Sequence, residues 1–118
     1  MTASVQIPKE EQLRALAGGL LEVYRLIERY TGGPISTDSR EFITVTKPEL
    51  IEYLRLNPEL SESHVMSEDS SATMHDRPCL FKKGSQWVVC WTEHGRKIDE
   101  RTYDSLEEAA ADYLMADL

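Results

Sequence analysis

The sequence predicts an α+β domain in which a long N-terminal helix, a short second helix and a C-terminal helix pack on one face of a three- to four-stranded antiparallel sheet. Three observations carry this prediction. Apolar residues recur every three or four positions from Leu13 to Tyr30. Three runs, 79–83, 86–92 and 97–102, are separated by two-residue turn signals. Ser105-Leu106-Glu107-Glu108 then has the spacing of a capping box ahead of a last apolar stripe. Residues 1–118 read as a single domain, since a chain of 118 residues buries about two thirds of its unfolded surface without disulfide or metal staples.

Pro8 suits the first turn of a helix, and Leu13, Leu16, Ala17, Leu20, Val23, Tyr24, Ile27 and Tyr30 describe one buried stripe along it. Gly18 and Gly19 interrupt the stripe at about 1 kcal/mol each relative to Ala, so the helix bends there or another element packs close against its backbone. Close packing is the expectation. Thr31-Gly32-Gly33-Pro34 stops the helix, because glycine admits a left-handed cap and proline cannot continue the ladder. Glu41 to Val45 reads as a short strand or an extended connection. Thr46-Lys47-Pro48-Glu49 is a capping box that starts the second helix, with Leu50, Ile51, Tyr53 and Leu54 on its apolar side and Asn57-Pro58 ending it. Residues 61–77, with Ser67-Glu68-Asp69-Ser70-Ser71, read as an acidic surface loop with room for a fourth strand near His64 to Met66.

The two hairpin turns set the register. With Gly84-Ser85 as the first turn, Leu80 faces Val89, Phe81 faces Val88 and Cys79 faces Cys90; with His94-Gly95 as the second, Ile98 faces Trp91 and Asp99 faces Cys90. Side chains alternate, so Leu80, Trp87, Val89, Trp91 and Ile98 share the core side. Cys79, Phe81, Val88, Cys90, Lys97, Asp99 and Arg101 share the other, which is expected to be a partly exposed surface suited to recognition. The two thiols are expected to be half-buried and reduced, with no functional bond. Leu106, Ala109, Ala110, Tyr113 and Leu114 form the apolar face of the closing helix.

Composition removes several function classes. Apolar runs such as 19–21 and 87–91 are far short of the roughly 18 residues that suggest a membrane span, and Met1 to Lys9 lacks the basic start and apolar stretch of a signal peptide, so a cytoplasmic location and no membrane partner are expected. The chain holds 21 acidic and 13 basic side chains, a net charge of −8. Residues 1–60 carry 7 basic and 9 acidic groups and residues 61–118 carry 6 and 12, so the second half bears most of the field. A surface that neutralises phosphates needs clustered Lys and Arg, so nucleic acid is not an expected partner.

Catalytic and cofactor signals are weak. His75 or His94 could be offered as a base for a cysteine nucleophile, but residue type alone supports the pairing. His64, His75 and His94 with Cys79, Asp76 or Glu93 show neither the i, i+4 nor the CxxC spacing that preorganises metal ligands, so no metal is expected. Glu10, Glu22, Glu28, Glu107 and Asp112 fall mainly on polar helix faces, where solubility explains them. Gly18-Gly19 and Gly32-Gly33 are isolated pairs and make no phosphate-binding loop. No cofactor and no catalytic residue is assigned.

Three family resemblances bear on function. Helix, three strands and a final helix is similar to the order of the double-stranded RNA-binding domain, and a three-stranded sheet followed by a helix resembles the arm domains of phage integrases. Both need a basic strip, whereas the final helix here carries Glu107, Glu108, Asp112 and Asp117 with no Lys or Arg. The segment Trp87-Val88-Val89-Cys90-Trp91-Thr92-Glu93-His94-Gly95-Arg96, followed by a charged strand and Tyr103-Asp104-Ser105-Leu106-Glu107-Glu108-Ala109, resembles the C-terminal half of immunity proteins from bacterial polymorphic toxin and contact-dependent inhibition systems. The likeness covers residues 78–116; where that family carries Glu-Arg-Gly in the turn, this chain has Glu93-His94-Gly95 with Arg96 following.

The resemblance implies a small cytoplasmic inhibitor, a monomer or weak homodimer, that binds and neutralises the C-terminal domain of a cognate toxin, such as a nuclease, by stoichiometric contact and not by turnover. The candidate contact residues are Glu62, Glu68, Asp69 and Asp76 of the acidic loop with Glu93, His94, Asp99 and Arg101 of the turn and strand. The competing expectations are a regulatory or adaptor domain that binds a host protein or small ligand, and a small enzyme.

Overall fold

Gly19 divides the first predicted helix in two. The computed structural model describes residues 6–32, 41–71, 76–94 and 96–116; Met1, Gly33, Pro34, His75, Gly95 and Asp117, which figure in the sequence reading, lie outside them. Helices α1 (Lys9–Gly18) and α2 (Leu20–Thr31) replace the single long helix. Gly19 has φ +109° and ψ 176°, a conformation almost restricted to glycine. A Cβ there would meet nothing closer than His64 Cε1 at 3.9 Å, so Gly19 supplies conformation, while the close packing expected of the pair is found at Gly18, where a Cβ would come within 2.9 Å of Glu22 Cγ on α2. The chain doubles back, and Tyr30 near the end of α2 donates its hydroxyl to the Glu11 carboxylate at the start of α1. The break resets the helical phase: Leu26 joins Val23 and Ile27 in the core, while Tyr24 and Tyr30 turn outward at 42% and 37% exposure. Gly32 then caps α2 in the left-handed conformation, as its sequence position implies.

A buried glutamine fastens α1 to the extended segment ahead of the next helix. Gln12 is fully buried; its Nε2 donates to the Ile7 carbonyl at 2.7 Å and to Thr44 Oγ1 at 3.0 Å. Its Oε1 accepts from the Thr44 and Val45 amides at 2.7 and 3.1 Å. Residues 43–46 thereby run as an extended connection with no strand of their own. Thr46 closes a complete capping box with Glu49 at the start of α3 (Lys47–Leu56). The Thr46 amide, Lys9 and the Thr46 hydroxyl all hydrogen-bond the Glu49 carboxylate and hold its pKa down to about 2. Asn57-Pro58 ends α3 and at once begins α4 (Pro58–Glu62), because proline is tolerated in a first helical turn. A further short helix, α5 (Glu68–Ser71), occupies part of the predicted acidic loop.

The sheet has the order β1 (Arg77–Lys83), β2 (Gln86–Glu93), β3 (Arg96–Tyr103), antiparallel throughout. Gly84, at φ +64°, is the only residue of the first two-residue turn with positive φ, the pattern of a type II′ turn, and the β1–β2 register is the one that turn predicts. No fourth strand forms among the described residues; Met66 makes a single parallel bridge to Phe81, with its amide on the Leu80 carbonyl at 2.9 Å. Helix α6 (Leu106–Ala116) lies on the sheet and is capped by Ser105 Oγ, which accepts from the Glu108 amide at 3.4 Å. Helices α3 and α4 pack on α6, and α1 joins them, enclosing Leu16, Ile27, Leu50, Leu54, Leu80, Val89, Ala109 and Ala110.

The sheet faces depart from expectation in three ways. Trp91 and Ile98, predicted in the core, fall outside both clusters of buried residues; Trp91 is half-buried and Ile98 is 37% exposed. The other face is not open: Cys79, Phe81, Val88 and Cys90 form a second buried cluster with Met66 packed on it. Helices therefore do not keep to one side, because α5 reaches the second face, where Glu68 meets Lys97 at 3.3 Å and Lys83 at 3.6 Å. Finally, the β2–β3 register slips by one between Trp91 and Val89. Ile98 faces Trp91 as predicted, but Arg101 faces Val89, so both Asp99 and Glu100 stand across from Cys90. This is a β-bulge, with Asp99 at φ +53°.

Candidate functional site

The bulge sorts the predicted site residues. Beyond it, alternation is inverted, and Arg101 projects to the α6 side instead of the side first assigned to it. There it holds Asp112 through two bonds, Nε to Oδ2 at 2.6 Å and Nη2 to Oδ1 at 3.3 Å, while Tyr103 donates its hydroxyl to the same Oδ2 at 2.6 Å. Burial pushes the Asp112 pKa up, but the bonds from Arg101 and Tyr103 outweigh it and leave the carboxyl below its ordinary value. Burial and the Asp112 bond raise Tyr103. Arg101 is thus part of the attachment of α6 to β3.

Glu68 is likewise engaged within the fold. Its hydrogen bond from Lys97 is the main cause of a lowered pKa, and Lys97 also lies 4.7 Å from the Phe81 ring centroid. Glu62 and Asp69 are exposed at the end of α4 and within α5. His64, weighed from sequence as a metal ligand, donates Nε2–H to the Ala17 carbonyl at 2.6 Å and rests against Tyr113 with 5.7 Å between ring centroids. Among the described residues no three His, Cys, Asp or Glu side chains gather as a metal site would require.

The remaining candidates converge on one end of the sheet. Glu93 pairs with Arg96 across the second turn, Trp91 pairs with Pro78 on one side and Ile98 on the other, and Arg77 pairs with Thr92. Asp76 immediately precedes Arg77, and Asp99 follows Ile98, so both border the same end. Asp76, Glu93, His94, Arg96 and Asp99 are all exposed. Asp76, His94 and Asp99 have φ of +52°, +52° and +53° and are the non-glycine residues with positive φ among those described. Asp and His tolerate this region better than most residues, but it is uncommon, and concentration of it at one rim is typical of surfaces whose shape matters.

The rim is therefore an apolar ledge, Trp91 beside Ile98, continued on the same face by the Glu93–Arg96 pair, with exposed Asp76, Asp99 and Glu100 further along the strands and Arg77 set apart beside Gly19, His64 and Tyr113. Such a ledge suits contact with another macromolecule: a flat aromatic–aliphatic pair for burial and a charged edge for orientation. The turn residues Glu93 and His94 were legible as exposed hairpin positions. The ledge was not, because an alternating apolar pattern reads as core and the extent of the helix layer above it is a tertiary property. No helix among the described residues is long and apolar enough to cross a membrane. Comparison of the chain with family models, curated proteins and solved structures returned no significant match.

Proposed function

We propose that this chain is a cytoplasmic immunity protein that neutralises a cognate toxin domain by one-to-one binding through the Trp91–Ile98 end of the sheet. The observation that carries the reading is the ledge itself, an apolar pair left outside both cores with the Glu93–Arg96 pair beside it on the same face and exposed carboxylates of Asp76, Asp99 and Glu100 along the same end of the sheet. A basic active-site cleft, such as that of a nuclease, is the complementary surface, and a net charge of −8 steers the two together. An ordinary interface takes about 800 Å² from each partner, which a domain of this size supplies readily. Glu93, His94, Asp76 and Asp99 are the proposed contacts; Glu62 and Asp69 are assigned a peripheral part, and Glu68 and Arg101 act by holding the fold.

The test is co-expression with the toxin domain encoded beside this chain, scoring growth rescue and co-purification. The expected result is rescue with a one-to-one complex, and the absence of both refutes the reading. Combining Glu93→Lys with Asp99→Lys should slow association at least tenfold at low salt while leaving the melting temperature within a few degrees. Unchanged affinity in the double variant removes this face from the proposal.

A further inference from the structure

Cys79 and Cys90 are directly opposite on neighbouring antiparallel strands, share one face, and are both essentially fully buried. Directly opposed residues lie about 4.5–5.5 Å apart at Cα, inside the range of roughly 4.4–6.8 Å found for disulfides. Among the described residues Met66 is the partly buried apolar residue packed on the cluster, its amide bonded to the Leu80 carbonyl, and Glu68 in the short helix after it forms ion pairs to exposed Lys83 and to part-buried Lys97.

We propose that the two thiols form a reversible cross-strand disulfide, and that residues 66–71 are a strap whose lifting admits the oxidant. The inference is independent of the binding reading. The oxidant class is a small disulfide such as oxidised glutathione. One cysteine thiolate attacks it, expelling one glutathione thiolate and forming a mixed disulfide; the second cysteine thiolate then attacks the protein sulfur and expels the other. Two protein thiols and one small disulfide become one protein disulfide and two small thiols, and the two electrons pass to glutathione. In the closed state burial, followed by the neighbouring Cys79, raises the Cys90 pKa to about 11, which slows that thiol until the strap opens.

The experiment treats the full chain with oxidised glutathione at pH 8 and follows intact mass, peptide linkage and melting. The expected product is lighter by two hydrogen atoms, retains no glutathione, yields a Cys79–Cys90 linked peptide, and melts roughly 5–10 °C higher until dithiothreitol reverses it. Cys90→Ala should stop at a single glutathione adduct. Glu68→Gln, a conservative change, should accelerate oxidation about three- to fivefold by loosening the strap. Stable glutathione adducts on the wild-type chain, or a linked form that melts lower, overturn the disulfide. Oxidation that begins only within the global unfolding transition, or that Glu68→Gln leaves unchanged, overturns the strap.

Discussion

Changing Gln12 to Glu replaces one nitrogen by oxygen at a fully buried point where both ends of the side chain are engaged. Oε1 is kept, and with it the bonds from the Thr44 and Val45 amides. The other end changes sign: where Nε2 donated to the Ile7 carbonyl at 2.7 Å, a carboxylate oxygen now confronts it. Two donated bonds are lost at about 0.5–1.5 kcal/mol each, and the charge is buried without a cation. A neutral carboxyl avoids most of this, because its O–H can donate to Ile7 as the amide did. The folded state therefore raises the pKa of the introduced carboxyl above its unfolded value near 4.3.

Between those two values the folded state binds more protons than the unfolded state, so stability relative to the wild type falls as pH rises. The deficit is smallest below about pH 4 and complete above the folded-state pKa. For a displacement of roughly 3, at about 1.4 kcal/mol per pKa unit, the pH-dependent loss approaches about 4 kcal/mol above the folded-state pKa and is about 3 kcal/mol at pH 7. Urea unfolding of Gln12→Glu, Gln12→Leu and wild type at several pH values between about 4 and 8 measures it. Gln12→Leu strands the Thr44 and Val45 amides at every pH and should lose about 2–4 kcal/mol with no such slope. A gap between Gln12→Glu and wild type that is flat with pH, or wider at acid pH, would refute the account of Gln12 as a buried two-ended fastener.

Gly19→Ala should cost about 1–3 kcal/mol in chemical denaturation although space for the methyl is open, since the backbone at φ +109° is the obstacle; a neutral result means the two helices tolerate a different join. Asp112→Asn should cost about 1–3 kcal/mol at pH 7 by weakening the charge-assisted bonds from Arg101 and Tyr103. Because the folded-state pKa of Asp112 is depressed, the wild-type advantage is present above about pH 4 and should vanish as pH falls through that lowered value. Glu49 follows the same sign, with its contribution intact above the ordinary pKa of 4.5 and lost towards pH 2, so Glu49→Gln should flatten the fall in melting temperature across that window. An acid limb identical to that of the wild type contradicts the Glu49 capping account.

Local chemistry made much of this fold readable. Gly84-Ser85 specified the β1–β2 register residue by residue, and Thr46 and Ser105 marked two helix starts, because turns and caps depend on neighbours in sequence. The features that escaped depend on contacts across the chain or on residues with more than one use. Gly19 is compatible with a continuous helix or a break, and only the helix-to-helix packing chooses. Asp99 has no glycine-like signature, yet its left-handed backbone displaces Arg101 and Tyr103 to the other face. Among the described residues, Met66, thirteen residues before Cys79, packs on the Cys79–Cys90 cluster from a segment that composition describes as a polar loop. Of the candidate site, the charged turn was visible and its apolar neighbour was mistaken for core.

The extra residue at Asp99 makes β3 a strand with two independent duties. Ahead of it, parity is dictated by the outer hairpin; behind it, by the helix clamped through Arg101 and Asp112. Sequence drift at the rim can thus proceed without disturbing the helix anchorage, whereas loss of one amino acid at the offset would swap inward and outward for every position downstream. A lineage of such chains could diversify its contact edge freely while the length of this strand stays frozen.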